Sequence, residues 1–173
     1  MVELATFVQE PFADTPEWAE VLSLAERLHA LLNTEPTHSK LRMANQPGAS
    51  SAEVQGAFRA PAESLGFQSE RRGLFADSIA GLRPDYFRPM GSSGVILEVE
   101  RGKTTTNNMD LLDFWKCHIS ASAAYLFLLV PLALQHNPQM TPKKEFASVR
   151  RRLGQFFLPG NYTNVRGLCL FGY

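Results

Sequence analysis

Apolar residues recur with two different periods along this 173-residue chain. From Trp18 they fall at Val21, Leu22, Ala25, Leu28 and Leu32, the three-to-four spacing of an amphipathic helix. Thr15-Pro16-Glu17 supplies its start: a capping hydroxyl, a proline at the first helical position and an acid in the first turn. The spacing predicts a helix ending near Asn33, after which NTEPTHSKLRMANQPGASS reads as a loop. Ser50 and Glu53 have capping-box spacing and open a second helix, with Val54, Phe58 and Leu65 facing inward. Pro61 is expected to kink or split that helix, and Gly66 to end it.

The pattern then changes. FQSERRGLF has room for a short strand. In RPDYF, Pro84 pushes Arg83 towards an extended conformation, and Tyr86 and Phe87 favour a strand. RPMGSSG is turn chemistry and VILEVE is the next strand, so 83–100 reads as a β-hairpin. Asn107 or Asn108 can cap a following helix whose inward stripe is Leu111, Leu112, Trp115 and Ile119. AYLFLLV shows no alternation, as expected of a strand covered on both faces. Thr141-Pro142 starts a helix with Phe146, Val149, Leu153 and Phe157 inward, and GLCLFGY is a final strand. The order α, α, β-hairpin, α, β, α, β predicts one α/β domain over 1–173, a mixed central sheet flanked by helices. Its N-terminal helix and loop occupy 1–49 and its core 50–173.

Composition adds a charge split. Apolar residues make up 45% of the chain and include twelve Phe, enough to fill a sizeable core. Formal charge is zero, yet residues 1–100 carry 8 Lys/Arg against 14 Asp/Glu and residues 101–173 carry 9 against 3. The basic half suits a polyanionic partner. Its densest run is Lys143, Lys144, Arg150, Arg151 and Arg152, with Glu145 as the one nearby acid. These cations suit phosphate contacts, and equally the solvated face of a helix. Two cysteines without a CxxC or a Cys/His cluster suggest neither zinc nor a disulfide framework, and fit a reducing cytoplasm. The first residues lack a basic, apolar leader pattern, and AAYLFLLVPLAL is too short to span a bilayer, so no membrane partner is expected.

The chemistry concentrates in ILEVE. Residues i and i+2 of a strand share a face, so Glu98 and Glu100 point the same way as Ile96, while Val95, Leu97 and Val99 point oppositely. Asp85 comes from the partner hairpin arm and can lie beside Glu98. Three converging carboxylates repel one another unless a cation neutralises them. Hard oxygen ligands without His or Cys suit Mg²⁺, with Mn²⁺ as a substitute, better than zinc.

Asp85 after Pro84, a turn, acid-x-acid on a strand and then a helix together resemble the PD-(D/E)XK nuclease superfamily. The resemblance covers roughly residues 50–131. It implies a restriction-endonuclease-like fold and Mg²⁺-dependent hydrolysis of phosphodiesters, most readily in DNA. The third motif usually ends in Lys, and Glu100 stands there instead, which is similar to a subgroup of type II restriction endonucleases. By that resemblance Asp85 and Glu98 are metal ligands, and Glu100 orients or deprotonates the attacking water. An acid on the helix before the hairpin often joins the site. Glu53 matches that position best and Glu63 less well. The superfamily sometimes moves its lysine, and two stand in reach. Lys116 lies one helical turn beyond Leu112, and Lys103 lies on the loop after the strand. Lys116 can equally pair with Asp113 at i, i+3. Asn107 and Asn108 could contact substrate or simply cap the helix, and Thr104 to Thr106 could donate to a phosphate. A homodimer is expected by analogy only. The missing Lys after Glu98 leaves an alternative: a catalytically inactive nucleic-acid-binding or scaffold protein with a nuclease-like fold.

Overall fold

A computed structural model of the chain describes residues 1–46, 51–69, 83–102, 104–135 and 139–173. In chain order the elements are β1 (Glu3–Val8), α1 (Pro16–Leu32), α2 (Thr37–Ala44), α3 (Ser51–Ser64), β2 (Gln68–Ser69), β3 (Tyr86–Met90), β4 (Ser93–Val99), α4 (Met109–Ile119), β5 (Tyr125–Val130), α5 (Glu145–Gly154) and β6 (Gly167–Gly172). The strands form one mixed sheet in the order β1-β6-β5-β4-β3-β2. Strands β4, β5 and β6 run parallel, while β1 on one side and β3 and β2 on the other pair antiparallel. The chain is thus α/β with a mixed sheet flanked by helices, as expected, and helix, hairpin, helix and strand follow in the expected order.

Every residue of β5 is buried, because it has strands on both edges and helices on both faces. Alternation sorts the sheet's side chains into two layers. Val95, Leu97, Val99, Tyr125, Phe127, Leu129 and Phe171 join Trp18, Leu28 and Phe58 from α1 and α3. Ile96, Leu126, Leu128, Val130 and Leu170 join Phe114, Cys117, Val149 and Leu153 from α4 and α5. Glu98, two residues after Ile96, therefore belongs to the α4 layer.

Several local signals act as expected. Thr15 Oγ1 accepts from the Trp18 N–H at 3.2 Å, and Pro16 opens α1. Gly66 ends α3 with φ +82°, while the N–H of Phe67 bonds the carbonyl of Ala62, as in a Schellman stop. Other expectations are corrected. Helix α3 runs through Pro61 without splitting, because Phe58, Ala62 and Leu65 on either side of it are all packed into the core. Its proposed cap, Ser50, lies outside the described residues, as does FQSERRGLF beyond Ser69. Strand β1 had no sequence reading, and α2 lies within what reads as loop. Eight residues are too few to hold a helix by propensity, so α2 depends on burying Leu41 and Ala44. Helix α5 starts at Glu145 and not at Thr141-Pro142, because Lys143 forms a β-bridge with Leu134 first.

The largest correction concerns α4. Its buried residues are Asp110, Asp113, Phe114 and Cys117. Leu112, Trp115 and Ile119, expected inside, are 52%, 56% and 42% exposed. The helix is turned so that its two carboxylates meet cations. Asp110 meets Arg152 at 3.0 Å, and Asp113 meets Lys116 at 2.9 Å. Among the described residues no helix is long and apolar enough to cross a membrane.

Candidate active site

The hairpin register fixes the first contact. Tyr86 pairs with Leu97, so the residue before Tyr86 falls beside the residue after Leu97. There the Asp85 N–H donates to Glu98 Oε2 at 3.1 Å, and the Val99 N–H donates to Asp85 Oδ2 at 2.9 Å. From α3, Gln55 Nε2 reaches Asp85 Oδ1 at 3.3 Å. From α4, Lys116 Nζ donates to Glu98 Oε1 at 3.0 Å and to Asp113 Oδ1 at 2.9 Å. Glu100 sits one step beyond β4, tied to β5 by its N–H to the Leu129 carbonyl. Asp85, Glu98, Glu100, Asp113 and Lys116 thus gather at the carboxyl ends of the parallel strands, where open α/β sheets present their ligand sites.

Four carboxylates around one ammonium is an expensive arrangement. Glu98 and Asp113 are all but fully buried. Burial pushes the Glu98 carboxyl well above its usual range; Asp113 and Asp85 add to that, and Lys116 opposes it. Burial also raises Asp113, against the pull of Lys116. Glu100 is pushed from an ordinary 4.5 up to about 8, chiefly by burial and then by Asp113 and Asp85. Lys116 is raised despite its burial, because Glu98 and Asp113 hold the charged form. Buried beside them, the Cys117 thiol is pushed up by desolvation and by Glu98, so it stays protonated and is no thiolate ligand.

A pH dependence follows for Glu100. Between its unfolded value and about 8, the folded chain holds a proton that the unfolded chain has released. This contribution to stability is complete below about 4.5, falls as pH rises to about 8, and is level above. Glu100→Gln should flatten that part of the profile and raise stability at alkaline pH by on the order of 2–3 kcal/mol, allowing for screening. Urea unfolding across pH measures it, and an unaltered slope in the variant contradicts it.

The donor set fits Mg²⁺. The oxygens are hard, and Asp113 Oδ2 is buried without a hydrogen-bond partner. As the side chains stand, no group of three His, Cys, Asp or Glu among the described residues is set to hold a metal ion. One or two carboxylates suffice for Mg²⁺, which keeps most of its waters.

The remaining expected residues separate. Glu53 is exposed on α3, and Gln55 of the same helix bonds Asp85. Lys103 lies outside the described residues. Asn108 stands at the cap position of α4 but in the left-handed region, φ 56°, and its side chain makes no capping bond. It accepts from Arg152 at 3.0 Å instead, while Asn107 is exposed in the preceding turn. Thr105 Oγ1 donates to buried Glu145 at 2.7 Å, and Thr106 accepts from Lys143.

The basic run therefore divides. Lys143 and Arg152 fasten the 104–110 segment to α5, through Glu145, Thr106, Asn108 and Asp110. Lys144, Arg150 and Arg151 are exposed, with no acidic partner among the described residues. A groove of about 490 Å³ lies along this side, lined by Thr105, Lys143, Ser148, Arg151, Arg152 and Gln155.

Two site residues escaped the sequence reading. Asp113 was visible only as a rival partner for Lys116, and the structure gives it that partner inside the cluster. Gln55 carried no signal, since a neutral side chain on a helix has no charge to be explained. No protein-family model matches the chain, and no curated protein matches it. Among solved structures it is similar to a crystal structure of the restriction endonuclease BGLII complexed with a DNA 16-mer. That match covers 99% of this chain and 77% of the other, at 10% identity and a TM-score of 0.46.

Proposed function

We propose that the chain is an Mg²⁺-dependent nuclease that hydrolyses phosphodiester bonds, in DNA by preference, with a restriction-endonuclease-like site. The supporting observation is the meeting of Asp85, Glu98, Glu100 and Asp113 around Lys116, four acids gathered at a cost that a bound cation would offset. Asp85 and Glu98 would hold the ion, which supplies a Lewis acid beside the phosphodiester. Val99 and Gln55 orient the Asp85 carboxylate. Glu100, once ionised, takes the proton of the attacking water. Lys116 faces the charge that develops on the phosphoryl oxygens. Lys144, Arg150 and Arg151 supply sequence-independent phosphate contacts.

A second reading, a non-catalytic nucleic-acid-binding protein, is favoured by one observation. Lys116 already occupies Glu98 Oε1, where a metal ion would have to bind. Incubation with supercoiled and linear DNA separates the two. The nuclease reading predicts nicked and shortened products with Mg²⁺ and none with EDTA. Intact DNA retarded by the protein in Mg²⁺ supports the binder.

A further inference from the structure

Strand β1 ends the sheet on one side, and its outer edge is open. It pairs with β6 alone, in unbroken register from Glu3↔Gly172 to Val8↔Gly167. Backbone groups of successive residues alternate between the two edges of a strand. The Gln9 N–H continues the ladder onto the Arg166 carbonyl, so Phe7, Ala5 and Glu3 bond β6 as well, while Val8, Thr6 and Leu4 turn outward. Val2 belongs to the outward set, and the end of α1 takes its groups. Its N–H donates to Asn33 Oδ1 at 2.8 Å, and its carbonyl bonds His29 Nε2 at 2.7 Å. No described residue bonds the groups that Leu4, Thr6 and Val8 turn outward. Sheets commonly protect such an edge with lysine, proline or a bulge. The strand ELATFV has none of the three.

A groove of about 500 Å³ lies between this strand and α5. Phe7, Phe146 and Leu158 supply its apolar lining, Arg150 and Arg151 its cations, and Glu3 its acid. Both arginines are exposed and have no acidic partner among the described residues. Backbone and charge together specify the occupant. A row of donors and acceptors at two-residue intervals is matched by another extended backbone. Side chains of that backbone alternate, so every second one faces α5, where Arg150 and Arg151 favour carboxylates. DNA phosphates offer acceptors alone and would leave the outward carbonyls of β1 unmatched. A second copy joined edge to edge would bring its own Arg150 and Arg151 against the first pair. We infer that this edge binds an acidic polypeptide segment in extended conformation, added to the sheet as a further strand beside β1. Arg150 and Arg151 are also the cations proposed to meet DNA, so the bound segment shields them from it.

Calorimetric titration of the whole chain with a short synthetic peptide of alternating Glu and Val tests this. The peptide should bind one-to-one, with slowed amide exchange at Leu4, Thr6 and Val8, and its counterpart of alternating Lys and Val should not bind. Two further isomers, N-methylated on every Glu or on every Val, separate strand addition from charge attraction. Only one of these sets of amides can face β1, so one isomer should bind and the other should not. In the protein, Thr6→Pro removes an N–H that the ladder leaves unused, so melting should stay as in the wild type while peptide affinity falls by about tenfold or more. Arg150→Glu/Arg151→Glu should abolish binding. Equal binding of both N-methylated isomers, binding of the Lys peptide, or no binding of the Glu peptide overturns the inference. So does a wild-type dimer that Thr6→Pro dissolves, which would assign the edge to a second copy. The titration involves neither Mg²⁺ nor DNA, so its failure leaves the nuclease reading standing, and uncleaved DNA leaves this one standing.

Discussion

Glu98→Ala should remove the proposed Mg²⁺-dependent cleavage, by about 10³-fold or more, and leave the fold in place. Glu98 stands at the junction of the cluster, taking the Asp85 N–H on one oxygen and Lys116 on the other. Its removal would delete one of the two proposed ligands and loosen the other, Asp85. The structural penalty is small by comparison. Leaving the Asp85 N–H without its acceptor costs about 1–2 kcal/mol, and removing a buried like charge offsets part of that. Lys116 keeps Asp113 at 2.9 Å. Glu98→Gln preserves an oxygen for the Asp85 N–H while losing the charge, so it should match the wild type in thermal unfolding and match Glu98→Ala in cleavage. Supercoiled-plasmid nicking rates with circular dichroism measure both. Wild-type cleavage by either variant contradicts the assignment.

Lys116→Met destabilises the chain by about 3–5 kcal/mol at pH 8, the range found when one partner of a buried ion pair is removed. Methionine keeps most of the stem, so the loss is electrostatic. Glu98 and Asp113 would then face each other, both buried, without their shared cation. The sign with pH is fixed by the carboxyls, whose protons are held more tightly in the folded chain. At pH 5 they can stay protonated and the deficit shrinks; as pH rises they must ionise or the chain must unfold. A divalent cation should substitute in part, so Mg²⁺ should raise the variant's melting temperature more than the wild type's. A loss below about 1 kcal/mol, equal at both pH values, would show that Lys116 does not neutralise the cluster.

What the sequence discloses and what it hides divide along a physical line. Short-range rules locate the hairpin, because Pro84, the Gly91 turn and period-two alternation all act within a few residues. From the hairpin register comes the approach of Asp85 to Glu98. Segment β5 is legible because a short apolar run without alternation suits a strand covered on both faces, and every residue of β5 is buried. The rotation of α4 is not legible. A stripe of Leu112, Trp115 and Ile119 looks like a core face until Arg152, 42 residues from Asp110, and the cluster itself are present to draw its acids inward. The basic run misleads in the same way. Lys143 and Arg152 read as free cations, because Glu145, Thr106 and Asp110 become their partners only in three dimensions. Strand β1 and helix α2 are held by β6 and α3 more than by their own composition, so neither announces itself.

Anomalous diffraction from crystals soaked in Mn²⁺ locates an ion without requiring catalysis. A manganese peak is expected on the carboxylates of Asp85 and Glu98, with the Lys116 ammonium displaced from Glu98 Oε1. A well-ordered cluster with Lys116 still seated on Glu98 and no peak between the two acids, at millimolar Mn²⁺, would contradict it.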